Sequence, residues 1–172
     1  MSGRIIYLTP DQKKKALEEA NRRQTVNEQK NLLGRNNAPA FGPSSLNMHR
    51  IGAMGEMAAA VFLNLQDQVF QATTSVRGSS DLPGDIEVKT RSKHSYDLIV
   101  QKDERPDKKM ILITVEKGTI IIWGWCIAEE VMKKEYWSDP ARGRPAYFVP
   151  KKVLRPIETL ELKAEETETE IL

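Results

Sequence analysis

The sequence predicts an α/β fold, with a mixed, largely antiparallel central sheet flanked by helices and an N-terminal helical arm. Three observations carry that expectation. Small and apolar residues recur at three- and four-residue steps over 48–65, as in a buried amphipathic helix. Short runs rich in Val, Ile, Thr and aromatics then follow one another from 69 to 127, as strands do. A capped, lysine-rich helical segment stands in front of both, separated from them by a stretch of Asn, Pro, Gly and Ser.

The first helix has a readable start. Thr9 is placed to cap, Pro10 suits the first helical position, and Gln12 falls where a capping box wants Glu or Gln. The pattern extends over 10–33, but its apolar positions are few (Ala16, Leu17, Ala20, Val26) and Lys13, Lys14, Lys15, Arg22, Arg23 and Lys30 dominate. It therefore reads as an arm or a cover, not as a core helix along its whole length. Residues 34–45 read as a linker. In the helix over 48–65 the core positions are Ile51, Met54, Ala58, Val61, Phe62 and Leu65, and Glu56 is its only acid. Strands are expected over 69–75, 86–91, 96–101, 110–116, 119–127 and 146–149, the fourth and fifth joined by a tight Lys117-Gly118 turn. A further helix is expected over 128–137, stopped near Pro140. The order is helix, a meander of strands, helix, strand, with 1–45 as arm and linker, 46–157 as the core, and 158–172 as an acidic tail expected to be disordered.

Composition narrows the classes. A chain of 172 residues with 40% hydrophobic content supports one ordinary core. The apolar runs at 110–115 and 119–127 are far too short to span a bilayer and the first residues lack a signal-type apolar region, so a soluble cytoplasmic protein without a membrane partner is expected. A single cysteine, Cys126, excludes an internal disulfide and a cysteine zinc cluster, and its apolar setting suggests a buried inert thiol. The net charge of +2 is unevenly distributed: Glu158, Glu161, Glu165, Glu166, Glu168 and Glu170 against Lys163 put −5 on the tail and leave +7 on the body. A positive body suits a polyanionic partner.

The chemistry concentrates between residues 78 and 91. On a strand over 86–91, Glu87 and Lys89 project to one side while Ile86 and Val88 point to the core. The Pro83-Gly84 turn lets Asp81 fold back beside Glu87, so that two carboxylates converge near one lysine. Phosphodiester hydrolysis needs such a cluster, to deprotonate the attacking water and to neutralise charge on the phosphate. Carboxylate oxygens suit Mg²⁺, which binds through one or two of them and keeps waters and phosphate oxygens as its other ligands. Asp85, two residues before Glu87, is a rival ligand to Asp81. An E-x-K pair alone is also the ordinary pattern of a solvated strand face; the turn flanked by acids, the apolar strand that follows and the preceding helix with one acid give it context.

With Glu56 in Gly52-Ala53-Met54-Gly55-Glu56, then Asp81, then Glu87-Val88-Lys89 and the strand-like run from Tyr96 to Gln101, residues 50–156 resemble the PD-(D/E)XK, or restriction-endonuclease-like, nuclease superfamily. The chain also resembles small phage and prophage nuclease-like proteins through its Gly-Glu helix, its Glu-Val-Lys-Thr-Arg hairpin, Trp123-Gly124-Trp125 and the segment from Ala146 to Pro150. The resemblance implies a restriction-endonuclease-like core and a Mg²⁺-dependent DNA endonuclease, with Mn²⁺ as a substitute, leaving 5′-phosphate and 3′-hydroxyl ends. It implies Glu56 as the helix acid, Asp81 and Glu87 as metal ligands, Lys89 as the catalytic lysine, and the possibility of a homodimer. The five residues between Asp81 and Glu87 make a shorter hairpin than many members have. The alternatives are a catalytically inactive nuclease fold that binds nucleic acid, and a phage interaction or assembly protein.

Further nucleic-acid contacts are expected from Arg91, from His94 after the site strand, and from Arg142 and Arg144 in a loop; each is equally readable as a solvated residue. Gln101 is a candidate site-lining amide. Trp123 and Trp125 are expected on one strand face with Ile121 and Ile127, packed in the core and not stacking on bases.

Overall fold

A computed structural model describes residues 3–30, 43–71 and 80–162. The first long helix, α1 (Pro10–Gln29), begins with the expected capping box: the Thr9 hydroxyl accepts from the Gln12 amide at 3.2 Å, and the Gln12 side chain accepts from the Thr9 amide at 2.9 Å. Of the two readings, arm or cover, the structure takes the cover. Ala16 and Ala20 are fully buried against α2 (Pro43–Phe62), and the lysines face outward. Residues 31–33 of the expected helix and most of the expected linker lie outside the described residues.

Helix α2 is lined with Ala53, Met57, Ala58, Ala59 and Ala60, all buried. It stops three residues earlier than the apolar spacing suggests because Asn64 adopts a left-handed conformation (φ 58°). Leu65 donates to the Ala60 carbonyl and Asn64 to that of Val61, closing the helix end.

The main sheet has the order β1 (Arg4–Ile6), β5 (Thr119–Ile127), β4 (Lys109–Glu116), β2 (Ile86–Arg91). Strands β1 and β4 run antiparallel to β5, whereas β2 runs parallel to β4. The expected meander is thus corrected. After β2 the chain crosses to a second, antiparallel sheet made of β3 (Leu98–Val100), β7 (Ala146–Val149) and β6 (Trp137–Ser138), and returns along β4 in the same direction as β2. Strand β1 has only three residues, too few for a periodic signal. Residues 69–71 of an expected strand form a turn with Phe70 at φ 63°, and 72–75 lie outside the described residues. The helix expected over 128–137 is cut to α3 (Ala128–Val131) and a 3₁₀ turn at Lys134–Tyr136, because Trp137 and Ser138 pair with β7. No helix among the described residues is long and apolar enough to cross a membrane.

Strand β4 is the centre of a three-layer arrangement. Ile111 and Ile113 point to the helices, and Met110 and Leu112 point to the second sheet, which explains its unbroken apolar run. Cys126 is buried in the second of these cores, where burial pushes its thiol up to about 12. The hairpin at Lys117 and Gly118 has positive φ at both positions, as a two-residue turn requires. On β5 the expected sharing of one face by both tryptophans is corrected by a bulge. Register shifts between Leu112 and Ile113, so Trp125 joins Ile120 and Ile122 under the helices while Trp123 packs toward the second sheet. Gly124, at φ 151°, lets Arg155 pass so closely that a Cβ would lie 2.5 Å from its carbonyl oxygen.

The helix layer meets the sheet most closely at Gly55, where an added Cβ would stand 1.9 Å from Thr90 Oγ1 on β2. Gly55→Ala is expected to lower stability by about 1–3 kcal/mol through overpacking, read by thermal denaturation. Gly52→Ala, with open space at its Cβ, is expected to be neutral or slightly stabilising. Thr90→Ala combined with Gly55→Ala should recover part of the loss. Equal effects at both glycines would contradict a specific contact at Gly55.

Candidate active site

The segment before β2 is shaped by a tight turn. Leu82 forms a single antiparallel bridge with Ile86, its amide donating to the Ile86 carbonyl at 3.1 Å, and Gly84 (φ 85°) and Asp85 (φ 60°) take the left-handed positions between them. The turn returns Asp81 to the edge of β2 that faces away from β4, where Asp81 Oδ2 accepts from the Val88 amide at 2.8 Å. The side chains of Ile86 and Val88 enter the core under α2, and Glu87, Lys89 and Arg91 alternate on the other face.

Three acids approach one another here. Asp81 is half-buried, and its carboxyl is pushed up to about 7. Burial is the main cause, with the Glu56 and Glu87 carboxylates adding to it and the Val88 amide and Lys89 opposing it. Glu56, next to Gly55 on α2, is buried and gripped by both Arg23 guanidinium nitrogens at 3.1 and 2.6 Å. Burial pushes its carboxyl up while Arg23 opposes. Arg23 also binds Glu19 at 3.0 Å; burial alone would raise the Glu19 carboxyl, but Arg22 and Arg23 together bring it below its ordinary value. Glu87 Oε2 accepts from Lys108 Nζ at 2.9 Å, and its other oxygen lies 3.7 Å from Lys89 Nζ. Lys89 in turn donates to Glu104 at 2.6 Å.

Asp81 differs from its two neighbours. Among the described residues it forms no ion pair; its one hydrogen bond is to a backbone amide. A partly buried carboxylate near two others is costly to ionise unless a cation joins it.

Glu104 and Lys108 were not expected. They stand in the charge-dense loop over 101–108. The available signal is its position, directly before the core strand that pairs with β2. Gln101 begins that loop, and its carbonyl accepts from the Glu104 amide at 3.2 Å.

The remaining expected residues are spread more widely. Asp85 is 56% exposed and pairs with Arg105, and it is not among the groups acting on Asp81. Its left-handed backbone ends the strand pattern at Ile86, so the shared face expected from its spacing to Glu87 does not form. Arg91 donates to the Asp97 carbonyl at 2.7 Å. His94 Nδ1 lies 2.6 Å from Thr114 Oγ1, and its amide donates to Glu116 at 2.9 Å. Arg142 and Arg144 lie in the loop between β6 and β7, where Asp139 accepts from the Gly143 and Arg144 amides; no described contact joins them to Glu87.

Among the described residues, no three His, Cys, Asp or Glu side chains are placed to hold a metal ion by themselves. The donor set therefore does not fit an all-protein cage. Mg²⁺ is usually held by one or two carboxylates with water and phosphate oxygens completing the shell. Asp81 and Glu87 are the residues that would hold it.

The raised Asp81 carboxyl has a measurable consequence. The folded protein keeps this proton up to about pH 7, and the unfolded chain releases it near 3.8. The folded state binds more protons in that interval, so this group lowers stability as pH rises through it. Without divalent metal, Asp81→Asn should match wild type near pH 4 and become progressively more stable than wild type up to pH 8, measured by melting temperature. A difference independent of pH would contradict the assignment.

No protein-family model, curated protein or solved structure matches this chain.

Proposed function

We propose that this chain is a Mg²⁺-dependent DNA endonuclease of the PD-(D/E)XK type. The observation that carries the reading is Asp81: a half-buried carboxyl pressed by Glu56 and Glu87, bonded to one backbone amide and lacking an ion-pair partner among the described residues. Such a group either keeps its proton or shares a cation with Glu87. Mg²⁺ at that position supplies charge neutralisation at the phosphate and a water acidic enough to attack near neutral pH.

The chain's own residues have distinct parts in this reading. Asp81 and Glu87 hold the cation. Lys89, 3.7 Å from Glu87 and anchored by Glu104, offsets charge on the phosphate and orients the attacking water. Lys108, 2.9 Å from Glu87, fixes the direction of that carboxylate. Glu56 is a positioning residue: both its oxygens are taken by Arg23, so it acts on the site through its charge. The positive body charge favours approach of DNA, and cutting both strands of a duplex would be served by a homodimer.

A second reading has its own support. Glu56 is neutralised by Arg23, and Glu87 by Lys108. Such internal compensation also suits a nucleic-acid-binding protein that performs no chemistry.

Incubation with supercoiled plasmid, linear duplex and branched DNA separates the two. Cutting should require Mg²⁺ or Mn²⁺, stop with EDTA, and fall by about 10²-fold or more in Glu87→Ala and Lys89→Ala. DNA binding without cutting, unchanged in both variants, would favour the binding protein. Because metal and proton compete for Asp81, Mn²⁺ affinity measured by calorimetry should rise about tenfold per pH unit below 7 and level off above it. Asp81→Asn should abolish that dependence. A pH-independent affinity would place the ion elsewhere.

A further inference from the structure

The face of β2 that carries Glu87 and Lys89 continues to Arg91, since alternate residues of a strand share a face. Two residues of strand advance roughly 7 Å, so Arg91 lies about 13 Å from Glu87. Around Arg91 stands a contiguous group of aromatic rings and cations. The Arg91 guanidinium lies 4.5 Å from the centre of the Tyr96 ring, and Lys93 Nζ lies 5.6 Å from it. The Asp97 carbonyl accepts from Arg91, and the Asp97 carboxylate lies 3.7 Å from Lys151 Nζ. Lys151 in turn lies over the Trp123 ring at 4.9 Å. Trp123 is fixed in orientation because its Nε1–H donates to Thr114 Oγ1 at 2.8 Å, the same oxygen that His94 Nδ1 meets.

Two features distinguish this patch from an ordinary solvated surface. Arg91 is partly buried, and burial lowers its pKa. Yet among the described residues no carboxylate forms an ion pair with Arg91 or Lys93, and the nearby Asp97 is the acid paired with Lys151. The patch therefore carries a surplus of positive charge, on a partly desolvated Arg91 and an exposed Lys93. Tyr96 is also 37% exposed, although it is a large aromatic ring. Cations interleaved with accessible rings are what a single strand of nucleic acid recognises: the phosphates meet the charges and the bases stack on the rings. A fully paired duplex keeps its bases stacked inside and has no use for the rings.

We propose that this patch binds an unpaired stretch of nucleic acid, with a base stacking on Tyr96 and phosphates meeting Arg91, Lys93 and Lys151, the last of which lies over Trp123. The proposal rests on the nucleic-acid reading of the neighbouring site. It adds the substrate class: a strand with a single-stranded segment that runs from this patch along β2 to Glu87 and Lys89.

The test is binding of fluorescein-labelled dT12 and of a blunt 12-base-pair duplex to the full chain in EDTA, where no cutting occurs. The dT12 strand should bind more tightly than the duplex and quench tryptophan fluorescence. Tyr96→Ala should weaken dT12 binding by about 5- to 100-fold, the range of one lost stacking contact, and Tyr96→Phe should stay within about twofold of wild type. Arg91→Ala and Lys151→Ala should each weaken binding and reduce the slope of log affinity against log salt by about 0.7. Lys93→Glu, a change on an exposed side chain, provides a charge test that does not depend on the folding of the Tyr96 variants.

Preference for the duplex would overturn the proposal, as would wild-type dT12 affinity in both Tyr96→Ala and Lys93→Glu. Displacement of dT12 by poly-glutamate at equal charge as efficient as by unlabelled dT12 would overturn it too, pointing to charge alone. Failure here is separable from failure of the nuclease reading. A protein that binds dT12 through Tyr96 but cuts nothing keeps the patch and loses the enzyme. One that cuts duplex but binds dT12 with wild-type affinity in both Tyr96→Ala and Lys93→Glu loses the patch alone.

Discussion

Helix α2 can rest on β2 only because residue 55 has no side chain. Thr90 Oγ1 and Cγ2 fill the space a Cβ would need, and Thr90 Oγ1 is buried without a hydrogen-bond partner among the described residues. That cost of leaving a hydroxyl unsatisfied is tolerated in a contact that fixes the helix against the strand. The consequence for chemistry is direct, because Gly55 precedes Glu56, and Thr90 follows Lys89 on the strand of Glu87. The same close approach that seals the core brings the helix acid within electrostatic reach of the strand acid. Helix α1 then packs its alanines on α2 closely enough for Arg23 to reach Glu56.

Burying several carboxylates together is opposed by desolvation and by their mutual repulsion. The fold answers with paired charges. Arg23 lies between Glu19 and Glu56, Lys108 meets Glu87, and Lys89 lies between Glu87 and Glu104. Asp81 stands apart from this pairing, and the imbalance appears as a carboxyl that holds its proton to about pH 7. A group so placed is poorly suited to stabilising a fold and well suited to receiving a cation. Internal compensation elsewhere gives the site a stable framework in the absence of that cation.

Much of this was legible in the residues, and the exceptions share a physical reason. Local signals were sufficient for α1 with its Thr9 capping box, for β2 with alternating Glu87 and Lys89, and for the Lys117-Gly118 hairpin. Gly52 and Gly55 beside Glu56 leave room for a neighbouring element, but nothing local says which strand fills it. The parallel pairing of β2 with β4 was not legible, because it follows from the chain's excursion through a second sheet. The bulge at Gly124, which separates Trp123 from Trp125, depends on Arg155 some thirty residues away. Glu104 and Lys108 resemble any charged loop until β4 takes its place beside β2. Asp85 shows the opposite case: its spacing to Glu87 placed it on the site face, and its left-handed backbone turns it out toward Arg105.

In the proposed function, Asp81 and Glu87 together hold a divalent cation. Anomalous scattering from crystals soaked in Mn²⁺ at pH 8, above the Asp81 titration, addresses it without reference to activity. One strong peak is expected, bonded to an oxygen of each residue at about 2.1 Å, with water at its other positions. A map with no peak there, or with its peak at Asp85, would contradict it.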